Sequence, residues 1–439
     1  MGLVISNATL AQLAPRMVRP GHLLIEGSTI AGVFDEIPSG YHEVFDAHGA
    51  LVMPGNVCSH THLYSVLARG MPAPPKNPRN FPEILEYIWW RLDRALDEPS
   101  IRASGIIGAM EAVLSGTTTL IDHHASPNCI EGSLDMLAEG MARVGVRGVL
   151  CYEVTDRNGA DGRDSGLKEN VRFAHEYGFR FPLMRPMLGA HASFTLNDDS
   201  LESISGTAHD LALGIHIHVA EDVCDQTDSM QRTGKRVAYR LDGHGIMGAK
   251  SILAHCVHLD EAEIGLVGRR GSWVAHNCRS NLNNSVGRAP VRSLLRELGG
   301  KIVMGTDGID QDMFAESRTA YFRSREEALD AFAEQFTDVL AAGADRVEES
   351  FGSPIGRLEA GNLADLQILN YQPPTPLTAA NLAWHWTFAF TNQLVKDVMV
   401  AGRWVVRDRQ LVRVDAEEAL AVGRTQAEAL WQRMHDLPW

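Results

Sequence analysis

Three short stretches of this sequence place metal-binding side chains at useful spacings. Pro54–His62 reads PGNVCSHTH, so His60 and His62 lie two residues apart. On an extended strand, residues i and i+2 face the same side, and the two imidazoles can grip one ion. Gly214–Glu221 reads GIHIHVAE, with His218 at the end of an apolar run and Glu221 three residues later. His216 shares the face of His218 but lies a step deeper, where a hydrogen-bonded core histidine is expected. His218 is therefore the candidate ligand. Ile302–Asp307 reads IVMGTD, a carboxylate after an apolar run and a glycine. An isolated aspartate in such a place is more commonly a helix N-cap. Together, His60, His62, His218 and Asp307 supply three imidazoles and one carboxylate. That set suits one borderline divalent ion such as zinc, with a position left for water, and does not by itself separate zinc from iron or manganese. Such an ion lowers the pKa of bound water from ~15.7 towards ~7, making hydroxide available at neutral pH. The sequence has no H-x-E with P-C-x-x-C, so this is not the cysteine-ligated zinc deaminase design.

These residues need a scaffold that gathers them. Eight apolar, β-rich runs follow one another: Leu51–Met53, Thr117–Ile121, Gly148–Cys151, Pro186–Leu188, Gly214–Val219, Ile252–Ala254, Ser272–Ala275 and Lys301–Met304. Between them, Ser100–Leu114, Ser133–Val144 and Val291–Leu298 carry helical periodicity. The alternation predicts an α/β fold, a (β/α)₈ TIM barrel, with a doubly wound open sheet as the alternative that the lack of a G-x-G-x-x-G after the first run disfavours. Titratable groups sit at nearly every run's end: His60 and His62, then Asp122, His123 and His124, Glu153, His191, His218 with Glu221, His255, His276 and Asp307. In a parallel barrel these positions meet at one mouth, the C-terminal face where active sites are built. Leu3–Ile5, Leu23–Ile25 and Ile30–Val33 near the start resemble Leu366–Leu369, Val395–Val400 and Trp404–Val406 near the end. Both chain ends are expected to form one small β-sandwich domain. The expected division is residues 1–54 and 357–439, with a terminal helix, for that domain, and 55–356 for the barrel. The proline-rich Pro72–Pro82 and the following Trp89 and Trp90 make a candidate lid.

Composition narrows the partners. Among 439 residues, 45% are hydrophobic and 22% charged, ordinary for a globular chain, and the net charge is -15. An acidic balance disfavours nucleic-acid backbones and anionic membranes and leaves small molecules as the expected partners. No uncharged apolar run approaches the ~20 residues that span a bilayer. The first residues, MGLVISNATLAQLAPRM, join no basic segment to a long apolar one, so no signal peptide is expected. Six scattered cysteines without a C-x-x-C pair read as reduced thiols of a cytoplasmic protein.

PGNVCSHTHLYSVLARGM, HVAE, LAHCVHL, VAHNCRSNLNNSVG and MGTDG, in that order, resemble the motifs of the amidohydrolase superfamily, in its cytosine-deaminase and triazine-chlorohydrolase branch. GRLEAGNLADLQILN and VKDVMVAGRWVV are similar to that branch's closing β-domain, so the resemblance covers nearly the whole chain. HLYSVLARGM, DHHASP and HNCRSNLNNSVG look closest to the SsnA-type aminohydrolases. The resemblance implies His60, His62, His218 and Asp307 as ligands of one metal ion, zinc or iron, and Glu221 and His255 as catalytic groups beside it. Arg185–His191 contains no lysine, in keeping with the single-metal members. The sequence departs from relatives at Asn56–Ser59 and at Cys278, none of them an expected ligand. A homo-oligomer is implied by the same resemblance.

The implied reaction is hydrolytic deamination of a small amino-substituted N-heterocycle: a purine, pyrimidine, pterin or cyclic amidine. Metal-bound hydroxide attacks the C–NH₂ carbon. Asp307 and His255 help take the proton from water, and Glu221 protonates the adjacent nitrogen and then the leaving amine. Loss of chloride or an alkylamine from a triazine-like ring is the alternative. A non-catalytic scaffold paralogue is a further reading, and cyclic amide hydrolysis would call for paired metals. His191, Asn277, Tyr64 and Trp89 are the candidate substrate contacts; Trp90 and Met71 could also stack on a flat ring, and Ser280 and Asn281 could hydrogen-bond it. His258 is read as structural or as a support behind the ligands, and Arg69 could neutralise an acidic substituent, although a surface salt bridge is the more common fate of an arginine.

Overall fold

The computed structural model describes residues 2–40 and 43–438. Its central sheet runs through Asn56–Thr61, Thr117–His124, Arg147–Val154, Leu188–Ala192, Ile215–Val219, Ile252–His255, Trp273–His276 and Ile302–Met304 in sequence order. Each neighbouring pair is parallel. These strands are buried along their whole length, as expected for a parallel sheet covered by helices. The ring closes where Thr61 bridges Asp307, and the amides of Thr306 and Asp307 both donate to the His60 carbonyl at 2.9 and 3.0 Å. The fold is thus the expected TIM barrel, and its seam already sets the first metal motif beside the last.

Two strand assignments change. Leu51–Pro54 belongs to the terminal sheet, and the first barrel strand is the next segment, Asn56–Thr61. Asn56–Thr61 reads NVCSHT and carries little apolar signal, and the apolar run of three residues before it does not say which sheet it will join. The fourth strand is Leu188–Ala192, preceded by a short strand Met184–Pro186 that pairs with the third; the run Pro186–Leu188 straddles the break between them. Helices follow the sequence more closely. Asp97 and Ser100 form a capping box that starts Glu98–Leu114. Ser133–Val144 ends at Gly145, whose φ of 99° favours glycine.

The two chain ends form a second, mostly antiparallel sheet. Leu51–Pro54 from the first end pairs with Leu366–Leu369 from the last, with Leu51 opposite Leu369. The expected sandwich is hydrogen-bonded as one continuous sheet of nine strands, and its apolar face buries Ile5, Leu10, Leu23, Val52, Leu366 and Met399. A buried pair ties this sheet to the barrel: Arg147 Nε and Nη2 donate to Asp365 at 2.8 and 3.0 Å. The terminal helix Ala416–Asp436 packs over the barrel's first loop, where Trp431 Nε1 donates to the Leu67 carbonyl at 2.8 Å. The six cysteines are free thiols. Among the described residues, no helix is long and apolar enough to cross a membrane.

The segment expected as a lid is helical from Phe81, where Asn80 caps the first turn. Leu85–Trp89 then forms a π-helical turn before Trp90–Ala95 resumes the α-helix. Such turns are rare and concentrate at functional sites. Here Trp89 and Trp90 both line the mouth of the barrel.

Candidate active site

Strand ends bring the sequence-predicted ligands together. One ligand atom from each of His60, His62, His218 and Asp307 lies within 4.8 Å of all the others, and all four residues are buried. His62 Nε2 is 2.9 Å from Asp307 Oδ1, and His60 Nε2 is 3.4 Å from the same oxygen. His62 Nε2 and His218 Nε2 face each other at 3.2 Å. Gly305 permits the approach, because a Cβ there would lie 2.6 Å from His60 Cβ and 2.7 Å from the His60 carbonyl. Asp307 and His255 take positive φ values of 55° and 74°. Non-glycine residues rarely do so, and such strain gathers at functional sites.

Hydrogen bonds fix which ring nitrogens carry protons. His62 Nδ1 lies 2.5 Å from the His123 carbonyl, and His218 Nδ1 lies 2.8 Å from the His191 carbonyl. A carbonyl only accepts, so both Nδ1 atoms are donors, and the neutral rings turn bare Nε2 lone pairs towards one another. Two lone pairs at 3.2 Å beside a carboxylate demand a positive charge between them. A proton answers part of that demand: burial opposes charging His62, but the hydrogen bond and charge of Asp307 push it up to about 9. Burial would raise Asp307, yet His60 and His62 hold it well below the ordinary carboxylate range. Burial drives His60 down to about 3 and His218 well below its usual value, so both stay neutral. His60 Nε2 is buried with no hydrogen-bond partner. Three neutral or neutralisable imidazoles and an ionised carboxylate, aimed at one point, fit a divalent ion. His60 Nδ1 lies 2.9 Å from His216 Nε2, so the deeper histidine braces a ligand, the core role expected of it.

The second constellation adjoins the first. Glu221, His255 and Asp307 offer atoms within 4.8 Å of one another. His255 Nε2 lies 3.6 Å from Glu221 Oε2 and, fully buried, has no hydrogen-bond partner. Its Nδ1 is held by Asn281 Oδ1 at 2.8 Å. Burial raises Glu221 to about 7, against the pull of His255. A carboxyl poised there exchanges protons readily near neutral pH. Asn284 Nδ2 donates to Glu221 Oε1 at 3.2 Å, and the Ser280 hydroxyl donates to Asp307 Oδ2.

Above these groups is a cleft of about 680 Å³, a volume that includes the open solvent at its mouth. His191, Tyr64 and Trp89 line it, as do Trp90, Phe81 and Phe194. Asn277 does not line it. That side chain is fully buried, and a Cβ on Gly305 would lie 2.5 Å from its Oδ1. The asparagine that reaches the cleft is Asn284, seven residues on, which the sequence reading passed over although it lies in the same NCRSNLNN run. Asp122, His123 and His124 are buried behind the ligands: Asp122 Oδ1 accepts from the Leu63 amide at 2.7 Å, and His123 supplies the carbonyl for His62. His258 bonds the Val286 carbonyl at 2.7 Å, and Arg69 pairs with Glu111. Sequence reasoning also missed Asp93 and Arg157. Arg157 Nη2 bridges Asp93 Oδ2 at 3.1 Å and Glu153 Oε1 at 2.9 Å, and its guanidinium stacks 4.7 Å from the Trp90 ring. Burial raises Asp93 to about 7 despite that partner.

Residues 51–405 match the model of the amidohydrolase family. The 5'-deoxyadenosine deaminase of Methanopyrus kandleri is 32% identical over 401 residues, 90% of this chain and 89% of that protein. The 5-methylthioadenosine/S-adenosylhomocysteine deaminase of Syntrophomonas wolfei is 29% identical, over 98% of this chain and 99% of that one. Among solved structures, an adenosine deaminase from Xanthomonas campestris with bound zinc superposes with a TM-score of 0.87 at 25% identity, covering 98% of both chains. Atrazine chlorohydrolase from Arthrobacter aurescens, complexed with zinc, has the same fold, with a TM-score of 0.83 at 21% identity over 97% of this chain and all of that one.

Proposed function

From the premise that this chain belongs to the amidohydrolase family, we propose that it is a one-metal aminohydrolase that hydrolyses the exocyclic amino group of an adenine-type nucleoside. His60, His62, His218 and Asp307 hold the ion, and their donor set favours zinc. What a divalent ion supplies there is Lewis acidity, enough to make water nucleophilic at neutral pH.

The chain's own residues supply the rest. Asp307 Oδ1 and His255 Nε2 flank the position from which water is delivered and help remove its proton. His255, kept in one orientation by Asn281, stabilises the oxygen as it becomes negative. Glu221 takes a proton and passes it first to the ring nitrogen beside the reacting carbon, which makes that carbon more electrophilic. It passes a second proton to the amino group, because NH₂⁻ is too basic to leave. One C–O bond forms and one C–N bond breaks, so water and the aminated ring give the oxo ring and ammonia. Asn284 orients Glu221 for both transfers. Tyr64, Trp89, Trp90 and His191 on the cleft wall hold the flat ring.

The observation that carries this reading is the facing pair of ring nitrogens, His62 Nε2 and His218 Nε2, 3.2 Å apart beside Asp307 and within reach of a carboxyl raised to about 7. The names of the relatives support the choice of an adenine-type ring. The test is ammonia release from purified, zinc-loaded protein given adenosine-type nucleosides and other aminated heterocycles. Release of ammonia with one of them supports the reading. Chloride or alkylamine release from triazines, with no ammonia from any aminated ring, replaces it.

A further inference from the structure

We propose that the cleft selects neutral or cationic substrates and rejects those carrying a phosphate or an uncompensated carboxylate, an inference that rests on the deaminase reading above. Six carboxylates line the cleft: Asp93, Glu153, Glu221, Asp222, Asp225 and Asp307. Among the described residues, neither lysine nor arginine lines it.

The cation behind the wall is already committed. Arg157 Nη2 is shared between Asp93 and Glu153, its Nε donates to Thr155 Oγ1 at 3.3 Å, and its flat face stacks on Trp90. Its Nη2 and Nε are thus taken up by Asp93, Glu153 and Thr155, and Arg157 is not among the residues that line the cleft. Asp225 accepts from the Phe194 and Ala220 amides at 3.1 and 2.8 Å, and Asp222 caps Val223–Thr233 through the Cys224 amide at 2.9 Å. Backbone amides steady these carboxylates without cancelling their charge. Burial raises Asp93, Glu221 and Asp225 to about 7, so these three carry only part of their charge at neutral pH, while one divalent ion and Arg157 are already engaged by Asp307, Glu153 and Asp93. An anionic substituent entering this cleft would give up water and meet like charges, with no arginine or lysine as its partner. An uncharged ribose or alkyl substituent pays no such penalty, and an ammonium group is attracted.

The test uses the full, zinc-loaded chain and four substrates that share the adenine ring. They are 5'-deoxyadenosine, 5'-amino-5'-deoxyadenosine, adenosine 5'-monophosphate and 5'-O-sulfamoyladenosine, the last a neutral group of nearly phosphate size. The expected kcat/KM for the monophosphate is at least ~100-fold below that for the sulfamoyl compound, a gap that narrows as salt screens the wall. The amino compound is expected at or above the level of 5'-deoxyadenosine. Asp222→Asn, which keeps the cap, shifts the ratio towards the monophosphate. If the monophosphate falls within tenfold of the sulfamoyl compound, or both are rejected equally, charge selection is overturned. Calorimetric binding of the same four to Glu221→Gln reads the charge preference separately. Ammonia release alone judges the deaminase reading.

Discussion

His216→Leu is expected to weaken metal binding although His216 is not a ligand. In the wild type, His60 Nδ1 lies 2.9 Å from His216 Nε2, and neither side chain is exposed. If His60 binds the ion through Nε2, its Nδ1–H donates to His216. Leucine fills much of the same space but accepts no hydrogen bond, and a buried ring offers no route for water to replace the acceptor. Leaving that N–H unpaired costs about 1–3 kcal/mol. His60 then escapes by moving its proton to Nε2, which removes the ligand lone pair, or by turning. Either way zinc affinity falls by roughly 10–100-fold, equivalent to about 1.4–2.7 kcal/mol. Competition against a chromophoric chelator measures the change directly. His216→Gln restores an acceptor near the same position and is expected to recover most of the loss. Unchanged affinity in the leucine variant, or a glutamine variant as weak as leucine, would refute the tautomer argument.

Glu221→Gln keeps the size of the side chain and an acceptor for Asn284 but carries no proton. Its kcat is expected to fall by about 10²–10⁴ with zinc content unchanged, read by ammonia release and elemental analysis. A fall of less than tenfold would remove Glu221 from proton transfer. The wild-type pH profile should show an acid limb. Glu221 is raised by burial to about 7, and below its pKa it is already protonated and cannot take the proton from water. kcat/KM is therefore expected to drop about tenfold per unit on the acid side, with a midpoint at or below 7 because a bound cation lowers it. A flat profile between pH 5 and 8 contradicts this assignment. Arg147→Met strands Asp365, leaving it the Ala401 amide at 2.7 Å as a remaining donor. The expected cost is about 3–5 kcal/mol in denaturant unfolding at saturating zinc, with kcat of the folded protein unaltered. A cost under about 1 kcal/mol shows that the pair is not sealed from water.

The barrel and its ligand set were legible because the relevant signals are local. H-x-H spacing, a histidine at the end of an apolar run and an aspartate after a glycine each report a strand end, and parallel strands in sequence order make all such ends neighbours. What failed was phase and partnership. Leu51–Met53 is apolar and Asn56–Thr61 is a mostly polar segment next to it, and only the pairing of Leu51–Pro54 with Leu366–Leu369, more than three hundred residues away, assigns them to different sheets. Asn277 and Asn284 share one polar run, but Asn277 precedes the short helix Cys278–Asn283 and points into the packed seam, whereas Asn284 follows it and faces the cleft. The π-helical turn at Leu85–Trp89 shifts which aromatic rings meet the mouth, and no helical periodicity announces it. Glu153 lies four residues before Arg157, but the second carboxylate that makes the bridge, Asp93, is 64 residues away and gave no local signal.

The most direct test titrates zinc into metal-free protein while following ammonia release and bound metal together. The account predicts no turnover without metal and a linear rise that stops at one equivalent per chain. Asp307→Asn should lose both binding and activity. Full activity in the metal-free protein, or a rise that continues to two equivalents, would contradict a single ion held by His60, His62, His218 and Asp307.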